Sequence, residues 1–446
     1  MSPPSPPSPP GASLAERLAR VPSLHLQDAQ GRPVRDPREQ ARALARSLRE
    51  AGLEPGDRLA VQLPNGPAFV TALLACAEGG LTFVPLPLAL EGAALQGRLQ
   101  AAGAAALLGE RGLQVSPQSP VTPMQGEPPA VILFTSGSEG VGRPVALGGR
   151  ALLHVVDTHR PLLGVDASTR ITGYLSWSHA FGFTLELLLG LLAGAQLRSV
   201  PAADFPAALT EAPADFLLTV PRMLERLEVG ALRSLQGGIV GGAPVRGALR
   251  ERLVGSRLRV GYGQTECAPG ATLGEPGEWE LDDFLGRPVG CELRLDAPGE
   301  LGLRELLLRG DNLALGYLVD GALQPMVRPD GWRALGDLGR AAHGGYVFEG
   351  RRDELFKLDN GRMVNPAPLE APFGGRILLV GAGRERVQPL ARGEEPARFE
   401  LPVPHLPPRL MPEAFWNACT TPSGKVSRRR AQQLFEQMTE QSFEES

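Results

Sequence analysis

Chemistry-bearing residues concentrate in a few short stretches of this 446-residue chain. The first is Thr135-Ser136-Gly137-Ser138-Glu139-Gly140, followed by Arg143. Hydroxyls and free backbone N–H groups donate to anionic oxygens, and glycine lets a backbone approach a ligand closely. The set reads as a phosphate-cradling loop or as an ordinary Gly/Ser-rich turn. It is not a Walker A loop, which needs Gly-Lys-Ser/Thr opening a helix. The second stretch is Gly261-Tyr262-Gly263-Gln264-Thr265-Glu266. Glu266 offers a hard oxygen to Mg²⁺, Thr265 a hydroxyl to a phosphate and Tyr262 a flat face to a base. Alone, it reads equally as a capped turn at a strand end. The third, Gly331 to Arg340, pins Asp337 between glycine and leucine, where a carboxylate accepts from both hydroxyls of a ribose. An isolated turn aspartate would carry no such meaning. The fourth, Gly350-Arg351-Arg352-Asp353-Glu354-Leu355-Phe356-Lys357, is a charge run that a solvated linker would also show. The fifth, Thr421-Pro422-Ser423-Gly424-Lys425-Val426-Ser427-Arg428-Arg429, sets Lys425 on a Ser-Gly turn before a basic helix, placed to reach an anion or simply part of a solvated tail.

Strand–helix alternation must position these residues. Val131 to Phe134 reads as a buried strand feeding the first stretch. Upstream, residues 12–55 read as helical: Leu14, Leu18 and Val21 recur at helical spacing, and a second segment, Asp36 to Ala51, has Ala41, Leu44 and Leu48 on one face and stops at Gly52. Asp57 to Leu63 (strand), Pro64-Asn65-Gly66 (turn), Ala68 to Ala77 (helix) and Phe83 to Leu86 (strand) make a βαβ unit, hence a parallel sheet with a right-handed crossover. A helix over Leu95 to Ala102 and a strand over Ala105 to Leu108 precede a proline-rich connector, Gln114 to Pro129. Further helices are expected over Ala151 to His159, Leu185 to Leu192 and Pro221 to Leu227, and strands over Phe216 to Val220, Gly238 to Val240 and Leu258 to Tyr262. From about Gly286 the runs shorten to Glu292–Leu295, Glu305–Arg309 and Tyr346–Phe348, as in antiparallel hairpins. A small terminal region has its own strand, Ile377 to Val380, and a last helix, Arg429 to Gln437. The fold class is therefore α/β: a large N-terminal domain of parallel-type sheets with helices and a β-rich subdomain, then a small α+β domain. The boundaries are a Pro/Ser tail at 1–11, expected to be disordered, a large domain at 12–352 and a small one at 353–446.

Composition narrows the class. At 43% hydrophobic and 21% charged the chain is globular, and a net charge of −4 argues against a nucleic-acid partner. Cys76, Cys267, Cys291 and Cys419 have no metal-ligand spacing and read as reduced thiols, so the expected setting is cytoplasmic. With six histidines and no HExxH pair, a transition-metal site is not indicated. The most apolar stretch, Phe181 to Leu197, carries Glu186 and Gln196 and falls short of a membrane span. ILLVGAGRERV lacks the third glycine and the βαβ context of a dinucleotide fingerprint.

In this order the motifs resemble the adenylate-forming (AMP-binding) superfamily: acyl-CoA and acyl-ACP synthetases, peptide-synthetase adenylation domains and firefly-type luciferases. GDRLAVQLPNGPAFVTALLACAEGGLTFVPL is similar to the first block of that family. The resemblance implies that Thr135, Ser136, Gly137, Ser138, Gly140 and Arg143 hold the ATP phosphates. It implies that Gly241, Gly242 and Ala243 line the adenine and acyl carbonyl, and that Tyr262 stacks on adenine beside Gly263. It further implies that Thr265 contacts the α-phosphate, Glu266 binds Mg²⁺, Asp337 and Arg351 hold the ribose, Asp353 is the hinge and Lys425 bridges carboxylate and α-phosphate. The implied reaction joins a carboxylic acid to AMP with loss of pyrophosphate, then passes the acyl group to the thiol of CoA or of a carrier protein's phosphopantetheine. Attack of one anion on another needs charge screening by Mg²⁺ and Lys425 more than proton transfer.

Two departures from the family pattern stand out. Glu139 occupies the usual threonine, and Gly142-Arg143-Pro144 replaces Pro-Lys-Gly, with Arg143 keeping the charge. Amino-acid-activating relatives carry Phe-Asp where Phe181-Gly182 stands, so a free amino acid is not expected. Trp177, His179, Phe181 and Gly182 mark an apolar or aromatic acyl pocket, with His179 as a candidate gate. The lean small domain points toward an acyl carrier protein as the thiol partner. The alternatives are a ligase with an amine acceptor and a non-catalytic adenylate-binding partner protein.

Overall fold

The expected βαβ unit is present in the computed structural model, which describes residues 12–115, 127–135, 141–212, 214–394, 399–420 and 426–444. Strand Arg58–Gln62, helix Pro67–Gly79 and strand Thr82–Pro85 follow one another, and the two strands pair in parallel, Leu59 opposite Phe83. Helix Pro67–Gly79 begins with proline at its first position, where the missing N–H costs nothing, and ends at Gly80 in the left-handed conformation. The proline–serine tail, most of the Gln114–Pro129 connector, Ser136, Gly137, Ser138, Glu139, Gly140 and Lys425 lie outside the described residues.

Packing groups the chain into two units. The first takes the described residues within Met1–Thr135, Arg143–Glu292 and Arg309–Trp332, and the second those within Ser136–Gly142, Leu293–Leu308 and Arg333–Ser446. In the first unit one sheet runs, in order, Ala322–Gln324, Gly316–Val319, Pro144–Leu147, Val131–Phe134, Thr82–Pro85, Arg58–Gln62, Ala106–Gly109 and Gly112–Val115. Its middle is parallel, its two ends antiparallel. Val131–Phe134 is fully buried, as its unbroken apolar run requires. A second parallel set orders His25–Gln27, Gln196–Ser199, Arg170–Gly173, Phe216–Thr219, Gly237–Val240 and Arg259–Tyr262. Thr272–Leu273 and Phe284–Pro288 then continue it antiparallel. The core between elements is aliphatic, with Phe69, Phe83, Trp177 and Phe183 as its large members.

In the second unit Arg304–Gly310, Arg333–Ala342 and Gly345–Arg351 form the antiparallel ladder expected from the short alternating runs. Asp337 lies inside the ten-residue strand Arg333–Ala342, not in an isolated turn. Further along, Ile377–Val380 pairs antiparallel with Gln388–Ala391, so the glycines after it close a hairpin and not a dinucleotide crossover. Helices Glu413–Cys419 and Arg428–Glu444 cover that sheet through Met411, Phe415, Trp416, Ala431 and Phe435.

Some elements depart from the sequence expectation. The two N-terminal helical segments are present as Leu14–Arg20 and Arg38–Glu50, but a strand that the sequence does not signal, His25–Gln27, stands between them. That strand is three residues long and exists through pairing with Gln196–Ser199, a partner that local periodicity cannot reveal. The helix expected over Leu185 to Leu192 starts earlier, as a π-helix over Phe181–Leu188, and becomes α-helical over Leu189–Ala193. The helix from Pro221 stops at Leu224.

Candidate functional site

Three small clusters in the first unit bring predicted site residues together. In the first, Thr135 follows the buried strand Val131–Phe134, and its hydroxyl accepts from the Arg143 N–H at 3.1 Å while its own N–H donates to the Arg143 carbonyl at 2.9 Å. The two ends of the loop are therefore pinned to each other. The Arg143 guanidinium lies over the Tyr317 ring, 4.3 Å from its centroid. Tyr317 stands on Gly316–Val319, opposite Val145 of the strand that follows Arg143. Its hydroxyl donates to Glu266 Oε1 at 2.5 Å. Glu266 sits on the buried 3₁₀ turn Thr265–Cys267, and its carbonyl accepts from the Ala314 N–H at 2.9 Å. Thr135, Arg143, Tyr317 and Glu266 thus form one connected group.

The second cluster is built from backbone approach. A Cβ on Gly241 would lie 2.9 Å from the Gly261 carbonyl and 3.5 Å from the Phe181 ring. Gly242 has φ +80, which glycine alone adopts without strain, and Gly242 and Ala243 are exposed. Tyr262 ends the strand Arg259–Tyr262 half-buried, and Gly263 packs so tightly on Pro269 that no side chain fits. Phe181, Gly241 and the Gly261–Gly263 strand end therefore converge.

The third cluster is the segment Tyr174 to Gly182. His179 is half-buried; burial and then the Arg98 cation hold its imidazole below the ordinary 6.5, so it is neutral at pH 7. Arg98, buried on Gly92–Ala102, lies 4.9 Å from the Phe134 ring centroid. Gly182 has no room for any side chain, since a Cβ would stand 2.7 Å from the Ser176 carbonyl. Trp177 is taken into the core: its ring packs edge-on to Phe69, and its indole N–H donates to Glu186 Oε1 at 2.8 Å. Glu186 is 1% exposed, its Oε2 has no hydrogen-bond partner, and burial pushes its carboxyl up to about 8. In the sequence Glu186 speaks only against a membrane span. An acid in an otherwise apolar helix was the signal. Tyr317 carried no local signal at all.

The second unit holds its own set. Asp337 is buried and faces Arg351 across the ladder, with Arg351 Nε 3.6 Å from Asp337 Oδ1 and 3.1 Å from Asp353 Oδ1. Burial alone would lower the Arg351 guanidinium, but Asp337, Asp353 and Glu354 outweigh it and raise it. Glu305, also buried, accepts from the Gly336 N–H and from Arg352, each at 2.8 Å. The exposed Asp353 lies on the 3₁₀ turn Arg352–Glu354. Thr420 and Val426 form an antiparallel bridge, and the Ser427 N–H donates to the Cys419 carbonyl at 2.9 Å; Lys425 itself lies outside the described residues.

Among the described residues no three His, Cys, Asp or Glu side chains converge as a metal cage. A divalent ion at Glu266 would complete its shell with water and ligand oxygens, the usual way Mg²⁺ is held, so a single carboxylate is enough to fit that ion. All four cysteines are free, and no described helix is long and apolar enough to cross a membrane.

An α/β body of parallel strands with glycine-lined strand ends is the class of fold that the described residues define. The AMP-binding enzyme family profile matches residues 34–120 and 109–318, and the chain belongs to that family. It is 30% identical over 387 residues to feruloyl-CoA synthase from Amycolatopsis sp, covering 74% of this chain and 76% of that one. It is 30% identical over 431 residues to pyochelin synthetase PchE of Pseudomonas aeruginosa, covering 82% of this chain and 29% of that one. Among solved structures, ATP-bound MatB from Rhodopseudomonas palustris superposes with a TM-score of 0.77 at 18% identity, over 95% of this chain and 99% of that one. o-Succinylbenzoate CoA synthetase (MenE) from Bacillus subtilis, in complex with its acyl-adenylate intermediate OSB-AMP, gives 0.77 at 19% identity, over 94% and 97%. These likenesses show the fold.

Proposed function

We propose that this protein is an AMP-forming acid–thiol ligase that activates an apolar fatty or aryl acid with ATP and transfers the acyl group to a thiol. The observation that carries the reading is the linked group Thr135–Arg143–Tyr317–Glu266 together with the close approach of Phe181, Gly241 and Gly261, within one folded unit. The first fits a polyphosphate, the second a flat base and an acyl carbonyl. Kinship to a CoA synthase supports CoA as the acceptor, and the phosphopantetheine of a carrier protein is the second thiol to test.

In this reading the hydroxyls and N–H groups of Thr135, Ser136, Gly137, Ser138 and Gly140 donate to phosphate oxygens, and Arg143 adds a fixed cation. Tyr262 and Gly263 border the base, Gly241 to Ala243 the base and acyl carbonyl, and Thr265 the α-phosphate. Asp337 accepts from the ribose hydroxyls, with Arg351 holding the carboxylate in place. Magnesium, held through Glu266, would screen the charge that two anions bring together. The ammonium of Lys425 does the same at the carboxylate and α-phosphate, where no proton need move. Asp353 is the turning point for residues 353–446, which lets Lys425 withdraw before the thiol attacks. Trp177 acts from the core, as the prop of the wall that His179, Phe181 and Gly182 present to the acid. A cytoplasmic setting accords with four free thiols.

The test is ATP–pyrophosphate exchange across a panel of fatty, aryl and amino acids. Exchange with apolar acids is expected; folded protein that exchanges with none would overturn the catalytic reading and leave an adenylate-binding partner protein. Comparing CoA with carrier proteins as acceptor then separates the two thiols.

A further inference from the structure

Tyr317 touches both the Arg143 cation and the Glu266 carboxylate on the Thr265–Cys267 turn. Its hydroxyl donates to Glu266 Oε1 at 2.5 Å, and its ring carries the Arg143 guanidinium 4.3 Å from the centroid. It does not reach these partners on a flexible loop. Tyr317 pairs with Val145 and Gly316 with Ala146, so only Pro144 stands between the residue opposite Tyr317 and Arg143 itself. The far side of Glu266 is held too, through its own carbonyl and the Ala314 N–H. A cation over an aromatic face is attracted by the ring quadrupole and draws electron density from it, which makes the phenol a stronger donor. A hydrogen bond to one carboxylate oxygen fixes the plane of the other.

We infer that Tyr317 is a positioning residue that orients Glu266 for a divalent cation and ties that carboxylate to Arg143, so that metal and phosphate are gripped as one unit. The inference rests on the proposed assignment of Glu266 to Mg²⁺. Orientation of this kind is what partners behind a metal ligand generally supply, and their loss costs about 10–100-fold in metal affinity. The Tyr317→Phe variant keeps the ring, the strand pairing and the Arg143 platform and removes only the donor. Tyr317→Leu removes the platform as well.

The experiment is calorimetric ATP binding to the intact chain, once with MgCl2 and once with EDTA, for the wild type and both variants, with circular dichroism confirming the fold. The wild type is expected to bind ATP more tightly with Mg²⁺. For Tyr317→Phe the dissociation constant with Mg²⁺ should rise about tenfold while that in EDTA stays within about twofold. Tyr317→Leu should weaken both. If the wild type shows no metal enhancement, the Glu266 assignment falls and this inference with it. If the wild type shows enhancement and Tyr317→Phe matches it in both buffers, or weakens both equally, Glu266 stands and the role of Tyr317 is refuted.

Discussion

Replacing Glu186 by glutamine should change the stability of this protein in a way that depends on pH. Its carboxyl is 1% exposed, with one hydrogen bond, from the Trp177 indole, and a second oxygen that has no partner. It lies against Gly173, where a Cβ would come within 2.2 Å of it, so glycine is required in that strand. Burial lifts the folded-state value from 4.5 to about 8, opposed only in part by the Trp177 bond. An acid raised in this way is protonated in the folded chain and ionised in the unfolded one between those two values. The folded state thus keeps its full stability below pH 4.5 and loses it as pH climbs to about 8, above which the loss levels off. At 1.36 kcal/mol per pH unit the whole loss is roughly 5 kcal/mol. Glutamine keeps an acceptor for Trp177 and does not titrate, but it buries an amide N–H₂ that has no acceptor, at about 1–3 kcal/mol. The Glu186→Gln protein should therefore match or fall below the wild type near pH 5 and exceed it by about 3 kcal/mol at pH 8.5. Urea unfolding followed by tryptophan emission, from pH 5 to 9, measures the difference directly. Two parallel stability profiles, with no crossing, would refute the argument. The neutral His159, pulled down to about 4 mainly by burial, gives the opposite slope, with stability lost as pH falls from 6.5 toward 4, and it cancels from the comparison because both proteins carry it.

Lys425→Ala should abolish ATP–pyrophosphate exchange while leaving ATP binding measurable by calorimetry; loss of both together would point to a structural role. Asp337→Ala removes charge-assisted hydrogen bonds worth about 1.5–3 kcal/mol, so the ATP dissociation constant should rise about 10–100-fold. Gly182→Asp should not confer amino-acid activation in the exchange assay, because its Cβ would stand 2.7 Å from the Ser176 carbonyl; it should lower the melting temperature instead. Arg428 is largely buried and bonds both Glu370 oxygens and the Leu379 carbonyl. Arg428→Ala should cost about 3–5 kcal/mol, seen as faster hydrogen exchange along Arg428–Glu444.

The sequence alone determined the class of the fold, the run of the main elements and the family. Those follow from local pattern: an unbroken apolar run such as Val131–Phe134 must be a buried strand, and the order of motif residues along the chain is a one-dimensional property. It also singled out Thr135, Glu266 and Asp337 as candidates, because five motifs that would each pass for an ordinary turn or linker alone occur together in one order. Only the tertiary structure decided which residues stand behind them. Tyr317 is far from Glu266 along the chain, and only the pairing of Gly316–Val319 with Pro144–Leu147 joins it to Arg143. Strand His25–Gln27 likewise exists through a remote partner. Trp177 could be read from sequence as pocket lining, yet the hydrogen bond it offers Glu186 places it in the core. Gly182 looked like an absent aspartate, and the structure gives a stronger reason: the Ser176 carbonyl fills the space. Local pattern reports which face of an element is apolar, whereas contact between elements depends on pairing register and on the crowding of backbone atoms, and these are set when the sheets assemble.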